Sequence, residues 1–167
     1  MLQPATSPSG GNAGSYLVTS GNGTLNIQGV GPGTKDSVLY PIGTSASWLP
    51  MRIRNTGQAD ELRLRVLPDN LSQGFTGSPE DSVVTATWVL TEATAGGSTL
   101  TITPQWNESD EKPTFDRSRS IVQYYQAGWK FFGPRILTQA SGNNPYFVTN
   151  SSLTGVSFNQ TPLRVYG

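Results

Sequence analysis

The sequence predicts an all-β domain, a two-sheet antiparallel β-sandwich, immunoglobulin-like or jelly-roll-like, built from about 10–12 short strands. Two observations carry this. Apolar side chains recur at every second position, and Gly, Pro, Asn and Asp break the chain about every 8 to 12 residues. A third points the same way: no stretch sustains a helical period beyond about two turns. Strands are expected at 15–20, 23–29, 37–42, 49–55, 60–67, 82–92, 97–107, 119–126, 128–132, 145–150, 153–158 and 161–166, with a helical turn near 69–73 or 78–82.

Some elements can be read in detail. In VVTATWVL, Val84, Ala86, Trp88 and Leu90 share one face, and Val83, Thr85, Thr87 and Val89 the other, so this strand is expected to be buried on one side and partly covered on the other. In TLTITPQW, Leu100, Ile102 and Trp106 face inward and Thr99, Thr101, Thr103 and Gln105 outward. Pro104 donates no ladder hydrogen bond, which predicts an edge or a bulge. Gly96-Gly97 can take positive φ and is expected to close a hairpin between these two strands. In LPMRIRN and DELRLRV the apolar sets Leu49, Met51, Ile53 and Leu62, Leu64, Val66 leave Arg52, Arg54, Arg63 and Arg65 outside. The intervening NTGQAD predicts a second hairpin, which would gather four guanidinium groups on one sheet face. They would be neutralised by Glu61, Asp69, Glu80, Asp81 and Glu92 or by an external anionic partner.

At 167 residues the chain suits one domain, expected over 15–167, with the Pro/Gly/Ser-rich residues 1–14 as a flexible leader. Lys plus Arg equals Asp plus Glu at 11 each, and charged residues make up 13%, against about a quarter in ordinary domains. Nothing in this balance draws the protein to nucleic acid or to an anionic membrane. No apolar run is long enough to insert into a bilayer. The uncharged polar coat suits an extracellular or cell-surface protein, whose export signal is expected to lie outside this sequence.

The chain contains no His and no Cys. Ser-His-Asp and Cys-His catalysis are thereby excluded, as are His/Cys sites for zinc, copper or iron. Hard-cation chemistry stays open: Asn107, Glu108, Asp110 and Glu111 could offer oxygens to calcium, although the spacing is not that of an EF-hand, and a solvated acidic turn is the simpler reading. No other cofactor is expected. Glu61 and Glu92 are the carboxylates that could serve glycoside hydrolysis, but no motif selects them. Trp88 and Trp106 fall in register with aliphatic neighbours and belong to the core, whereas Trp48 and Trp129 follow turns and are the candidates for an exposed sugar-binding surface.

The ordered segments SYLVTSGNGTLNIQGVG, YPIGTSASWLPMRIRNTGQADELRLRV, VVTATWVLTEATAGGSTLTITPQWNESDE, SIVQYYQAGWK and LTGVSFNQTPLRVYG together resemble a β-rich module of large secreted and cell-surface proteins of the Bacteroidetes. The resemblance covers residues 15–167 and rests on the PIGT start, the NTGQAD turn, the TWVLTE strand, the GGS hairpin, the QW strand with its acidic turn and the YYQAGWK pair. It departs at Tyr40, at Tyr124, where the module commonly has a histidine, and over Asn159–Leu163. Losing that histidine removes any argument for a metal there. The resemblance implies a structural or adhesive part without catalytic residues, commonly following repetitive stalks and preceding a type IX secretion sorting region. Asp36-Ser37-Val38 and Asp81-Ser82-Val83 resemble the short O-glycosylation acceptor of that phylum, making Ser37 and Ser82 candidate glycan sites.

The sequence therefore predicts a non-enzymatic structural or adhesion module of a multidomain extracellular protein. Its expected partners are neighbouring domains of the same polypeptide, a second copy joined through a sheet edge or the N-terminal segment, or cell-surface glycans. A carbohydrate-binding module is the alternative, and a carboxylate-pair hydrolase the third.

Overall fold

Among the residues that the computed structural model describes, 11–33 and 35–167, the chain forms sixteen strands. In order they are β1 (Leu17–Val18), β2 (Leu25–Val30), β3 (Ser37–Tyr40), β4 (Ile42–Gly43), β5 (Met51–Asn55), β6 (Asp60–Leu67), β7 (Leu71–Gln73) and β8 (Thr76–Pro79). There follow β9 (Thr87–Glu92), β10 (Leu100–Trp106), β11 (Ile121–Tyr125), β12 (Trp129–Phe131), β13 (Ser141–Gly142), β14 (Tyr146–Phe147), β15 (Asn150–Leu153) and β16 (Thr161–Tyr166). One six-stranded sheet runs β13-β14-β10-β5-β3, with β15 also on β10, and the other runs β12-β11-β16-β9-β6-β2. A parallel β1-β4 pair and a β7-β8 hairpin complete the set. No helix of the described residues is long and apolar enough to cross a membrane.

Alternation explains the layering. Met51, Ile53, Leu100, Ile102 and Trp106 of the first sheet meet Leu62, Leu64, Val66, Trp88, Leu90, Leu163 and Val165 of the second in a single core. Two hydrogen bonds link the layers through it. The Tyr40 hydroxyl donates to the Leu62 carbonyl at 2.9 Å, and the Trp88 indole N–H to the Leu49 carbonyl at 2.9 Å. Burial pushes the Tyr40 hydroxyl pKa well above its ordinary value.

Both expected hairpins are absent. β5 pairs with β10 and β6 with β9, so 55–60 and 93–99 carry the chain from one sheet to the other as two stacked arches. The arches are stitched together: the Thr56 N–H donates to the Thr99 carbonyl at 3.0 Å, the Gln58 N–H to the Gly97 carbonyl at 2.8 Å and the Ala93 N–H to the Glu61 carbonyl at 3.0 Å. Gly96 and Gly97 do take positive φ, 79° and 86°, but within an arch. At Gly57 a Cβ would run into the Gly97 carbonyl, so the close approach of the two loops requires glycine there. Asn55, fully buried, holds the pair from within. Its amide donates to the Val30 and Gln58 carbonyls at 2.9 and 2.8 Å, and its oxygen accepts from the Gly57 and Thr99 N–H groups at 2.9 and 3.0 Å.

Other expectations need smaller corrections. Pro104 lies in a middle strand: the Gln105 N–H points to β5, where it meets the Pro50 carbonyl, so the donor that Pro104 lacks would point the other way, toward the gap between β14 and β15. Residues 69–73 and 78–82 do not form a helical turn; β7 and β8 occupy them instead, and single 3₁₀ turns fall at Glu108–Asp110 and Arg117–Arg119. The 153–158 strand ends at Leu153. Of the expected leader, residues 1–10 lie outside the described residues, while 11–14 make a turn closed by the Asn12 and Ser15 backbones, with Gly11 against Pro41. β1 pairs in parallel with β4.

Candidate functional site

The four arginines do not share a face. Because β5 and β6 belong to opposite sheets, Arg52 and Arg54 lie on the outer face of the first and Arg63 and Arg65 on the outer face of the second. Arg54 meets Asp36 at 3.5 Å, with both side chains about half exposed. Arg63 donates to Glu61 at 2.6 Å. Arg65 is buried against the 19–23 loop, donating to the Gly21 carbonyl at 2.7 Å with its guanidinium 5.7 Å from the Phe75 ring centre. Only Arg52, among the described members of this quartet, is exposed with no carboxylate at ion-pair distance.

Hydrogen bonds from Arg63 and Gln28 hold the Glu61 carboxyl below its ordinary value of 4.5. A depressed folded-state pKa gives stability that is present above the unfolded value and lost as pH falls through the folded one. Glu61→Gln is therefore expected to destabilise the domain at pH 7 by less than about 1 kcal/mol. Thermal melts of both proteins across pH check this: the difference should close in acid, and one that persists there would contradict the assignment.

Arg52 forms part of a groove of about 510 Å³ on the outer face of the first sheet. Cross-strand register builds its floor, with Leu39 and Thr103 opposite Arg52 on either side and Gln105 opposite Phe147. The Thr103 hydroxyl lies 3.0 Å from that of Thr149, while the Gln105 amide has no side-chain partner among the described residues. Phe147, 37% exposed, stands on one side because β14 pairs with both β10 and β13. On the other side is Trp48, placed by a tight turn in which the Thr44 hydroxyl accepts from the Ala46 and Ser47 N–H groups at 3.2 and 3.1 Å. Trp48 is only 9% exposed, with the Tyr16 ring 5.3 Å away, so it bounds the groove and is not the free platform expected of it.

The acidic turn braces both sides. The Asp110 carboxylate accepts from the Ser47 hydroxyl and the Asn107 N–H, both at 2.8 Å, and the Asn107 amide reaches the Trp48 carbonyl at 3.3 Å. Glu108 and Glu111 converge on Arg117, at 2.6 and 2.8 Å, and that guanidinium lies 4.2 Å over the Tyr146 ring beside Phe147. The Trp106 indole N–H also donates to Glu111 at 2.8 Å. A guanidinium thus stands where a cation shared by Glu108 and Glu111 would stand, and among the described residues no three His, Cys, Asp or Glu gather as a metal site. The side chains of Asn107, Glu108, Asp110 and Glu111, named above as candidate calcium ligands, are engaged here with Ser47, Arg117, the Trp106 indole and neighbouring backbone groups.

The remaining candidates are dispersed. Trp129 is half-buried: its indole N–H donates to the Leu71 carbonyl at 3.1 Å and its ring carries the Arg164 guanidinium at 4.2 Å, so it joins the β7-β8 hairpin to the second sheet and is no sugar platform. Glu92 sits opposite Leu62 on the inner face, which puts the adjacent Glu61 on the outer face of the same sheet. The two cannot flank one glycosidic bond. Ser37 is exposed on edge strand β3, whereas the Ser82 hydroxyl is within 2.9 Å of that of Thr114. The Phe147 position has no sequence signal beyond an aromatic following Asn144-Pro145, and Gln105 none beyond its outward place in TLTITPQW. Compared with protein-family models, curated proteins and solved structures, the chain matches none of them.

Proposed function

We propose that this domain is a non-enzymatic adhesion module of an extracellular or cell-surface multidomain protein, and that it makes its contact through the groove bounded by Trp48 and Phe147, with a glycan as the ligand. The groove itself carries the proposal: about 510 Å³ of concave surface, one exposed aromatic ring, an unpaired guanidinium and a free carboxamide, all on a rigid sheet. The motif resemblance to Bacteroidetes surface modules and the low charge support an extracellular setting. A glycan array probed with the whole chain tests it. Binding is expected to a restricted set of saccharides and to fall at least about tenfold in Phe147→Ala, given the stabilisation an aromatic stack provides. No binding to any saccharide, or binding that Phe147→Ala leaves unchanged, would contradict it.

A further inference from the structure

We propose that the ligand of this groove is an acidic saccharide, a uronate-type oligosaccharide whose carboxylate pairs with Arg52 while a neighbouring ring packs on Phe147; this rests on the glycan reading of the groove. Among the described residues lining it, Arg52 is the only charged one. The other described arginines of the quartet already have oxygen partners: Asp36 for Arg54, Glu61 for Arg63, and the Gly21 carbonyl for Arg65. An exposed guanidinium facing a concave surface without a counter-ion offers two parallel N–H donors that fit a carboxylate.

The backbone makes a sugar the better occupant than a peptide. An extended peptide is captured by the free backbone of an edge strand. The floor strands β5 and β10 are both paired on both sides, β5 with β3 and β10, and β10 with β5, β14 and β15. Apart from the gap beside Pro104, which has no N–H to donate, their ladders are engaged, so recognition falls mainly to side chains: the Gln105 carboxamide, which can donate to and accept from hydroxyls, the Thr103 hydroxyl, and the flat Phe147 ring.

The register also sets the spacing of the two contacts. Arg52 is opposite Thr103, and Phe147 is opposite Gln105, two residues further along β10 and one strand beyond it. Two residues of rise and two strand spacings separate the Cα atoms of Arg52 and Phe147 by about 12 Å. That is about the span of two linked sugar rings, so a disaccharide or longer can reach both.

The test is calorimetric titration of the whole chain with oligogalacturonate, oligoalginate and hyaluronan fragments, with the same oligosaccharides after carboxyl reduction, and with a neutral dextran oligomer. Arg52→Gln, Arg52→Lys and Arg54→Gln are run alongside, and their unchanged thermal melts show that the exposed substitutions leave the fold intact. At least one uronate series is expected to bind, its carboxyl-reduced form at least about tenfold more weakly. Arg52→Gln should lose about tenfold or more, the loss expected for a hydrogen bond to a charged group, Arg52→Lys somewhat less, and Arg54→Gln less than about twofold. Equal binding of native and reduced sugars, preference for the neutral oligomer, or an unchanged Arg52→Gln would overturn the acidic-saccharide proposal. In the neutral-sugar case the glycan reading still stands. If no saccharide binds, both fall together.

Discussion

Asn55→Ala is expected to lower the unfolding free energy by about 3–4 kcal/mol, and the melting temperature by roughly 6–16 °C. The side chain is fully buried and uses its whole hydrogen-bonding capacity, two donors and two acceptor positions, on four backbone groups of 30, 57, 58 and 99. Truncation deprives two carbonyls and two N–H groups of this partner; the Val30 carbonyl is buried and the other three groups are part-buried, each orphan costs about 1–3 kcal/mol where water cannot reach it, and partial relaxation of the loops reduces the total. Asn55→Asp separates the contributions. It keeps the acceptor for Gly57 and Thr99 but turns the two donors into a carboxylate facing carbonyls, so it should be at least as harmful at neutral pH and partly relieved when the carboxyl is protonated in acid. Denaturant melts of both variants check this, and a loss below about 1 kcal/mol in Asn55→Ala would contradict the keystone role.

Trp88→Ala should cost about 4–5 kcal/mol. Trp88 is fully buried at the centre of the core, and its indole N–H satisfies the Leu49 carbonyl of the opposite sheet. Removing it creates a cavity and also strands that carbonyl. Trp88→Phe restores most of the volume but not the donor, and is expected to recover more than half of the loss while remaining about 1–3 kcal/mol below wild type. If Trp88→Phe were as stable as wild type, the hydrogen bond between the layers would have no part in holding the sheets together.

Which face each strand buries was legible in the sequence, because a side-chain period of two records burial directly. Leu62 and Leu64 of β6 and Trp88 and Leu90 of β9 are fully buried, as their spacing implies, and Arg52 and Arg54 do face outward, whereas the strand expected from 82 begins only at Thr87, and Val83, Thr87 and Val89 of its other face are buried as well. Which strand pairs with which was not legible. A short polar break such as NTGQAD can return the chain along the same sheet or carry it across to the other, and alternation is identical in both cases. What decides is Asn55, a polar residue at an inward position of β5, whose four backbone partners exist only if the loop arches over the core.

The same gap explains the candidate site. Trp48 and Arg52 were both identified from local pattern, but their common groove depends on β14 joining β10 from more than 30 residues further on, a contact no local period records. The β7-β8 hairpin was equally invisible, since Thr76–Pro79 is exposed throughout and has no apolar alternation. The segment leading into it is nonetheless tied to the outer side of β9, where the Thr87 hydroxyl donates to the Asp69 carbonyl at 2.7 Å and Val89 is 1% exposed. The acidic turn drew attention as a group of oxygen ligands, and its oxygens are in fact used by Arg117, Ser47 and the Trp106 indole.

Amide NMR of the uniformly labelled chain, titrated with the saccharide that binds best on the array, tests the groove most directly. The shifts are expected to centre on Leu39, Arg52, Thr103, Gln105 and Phe147, including the Gln105 side-chain amide, while 61–67 and 121–131 on the other sheet stay in place. Shifts centred on Trp129 and Tyr125, or none at saturating saccharide, would contradict the assignment of this face as the binding site.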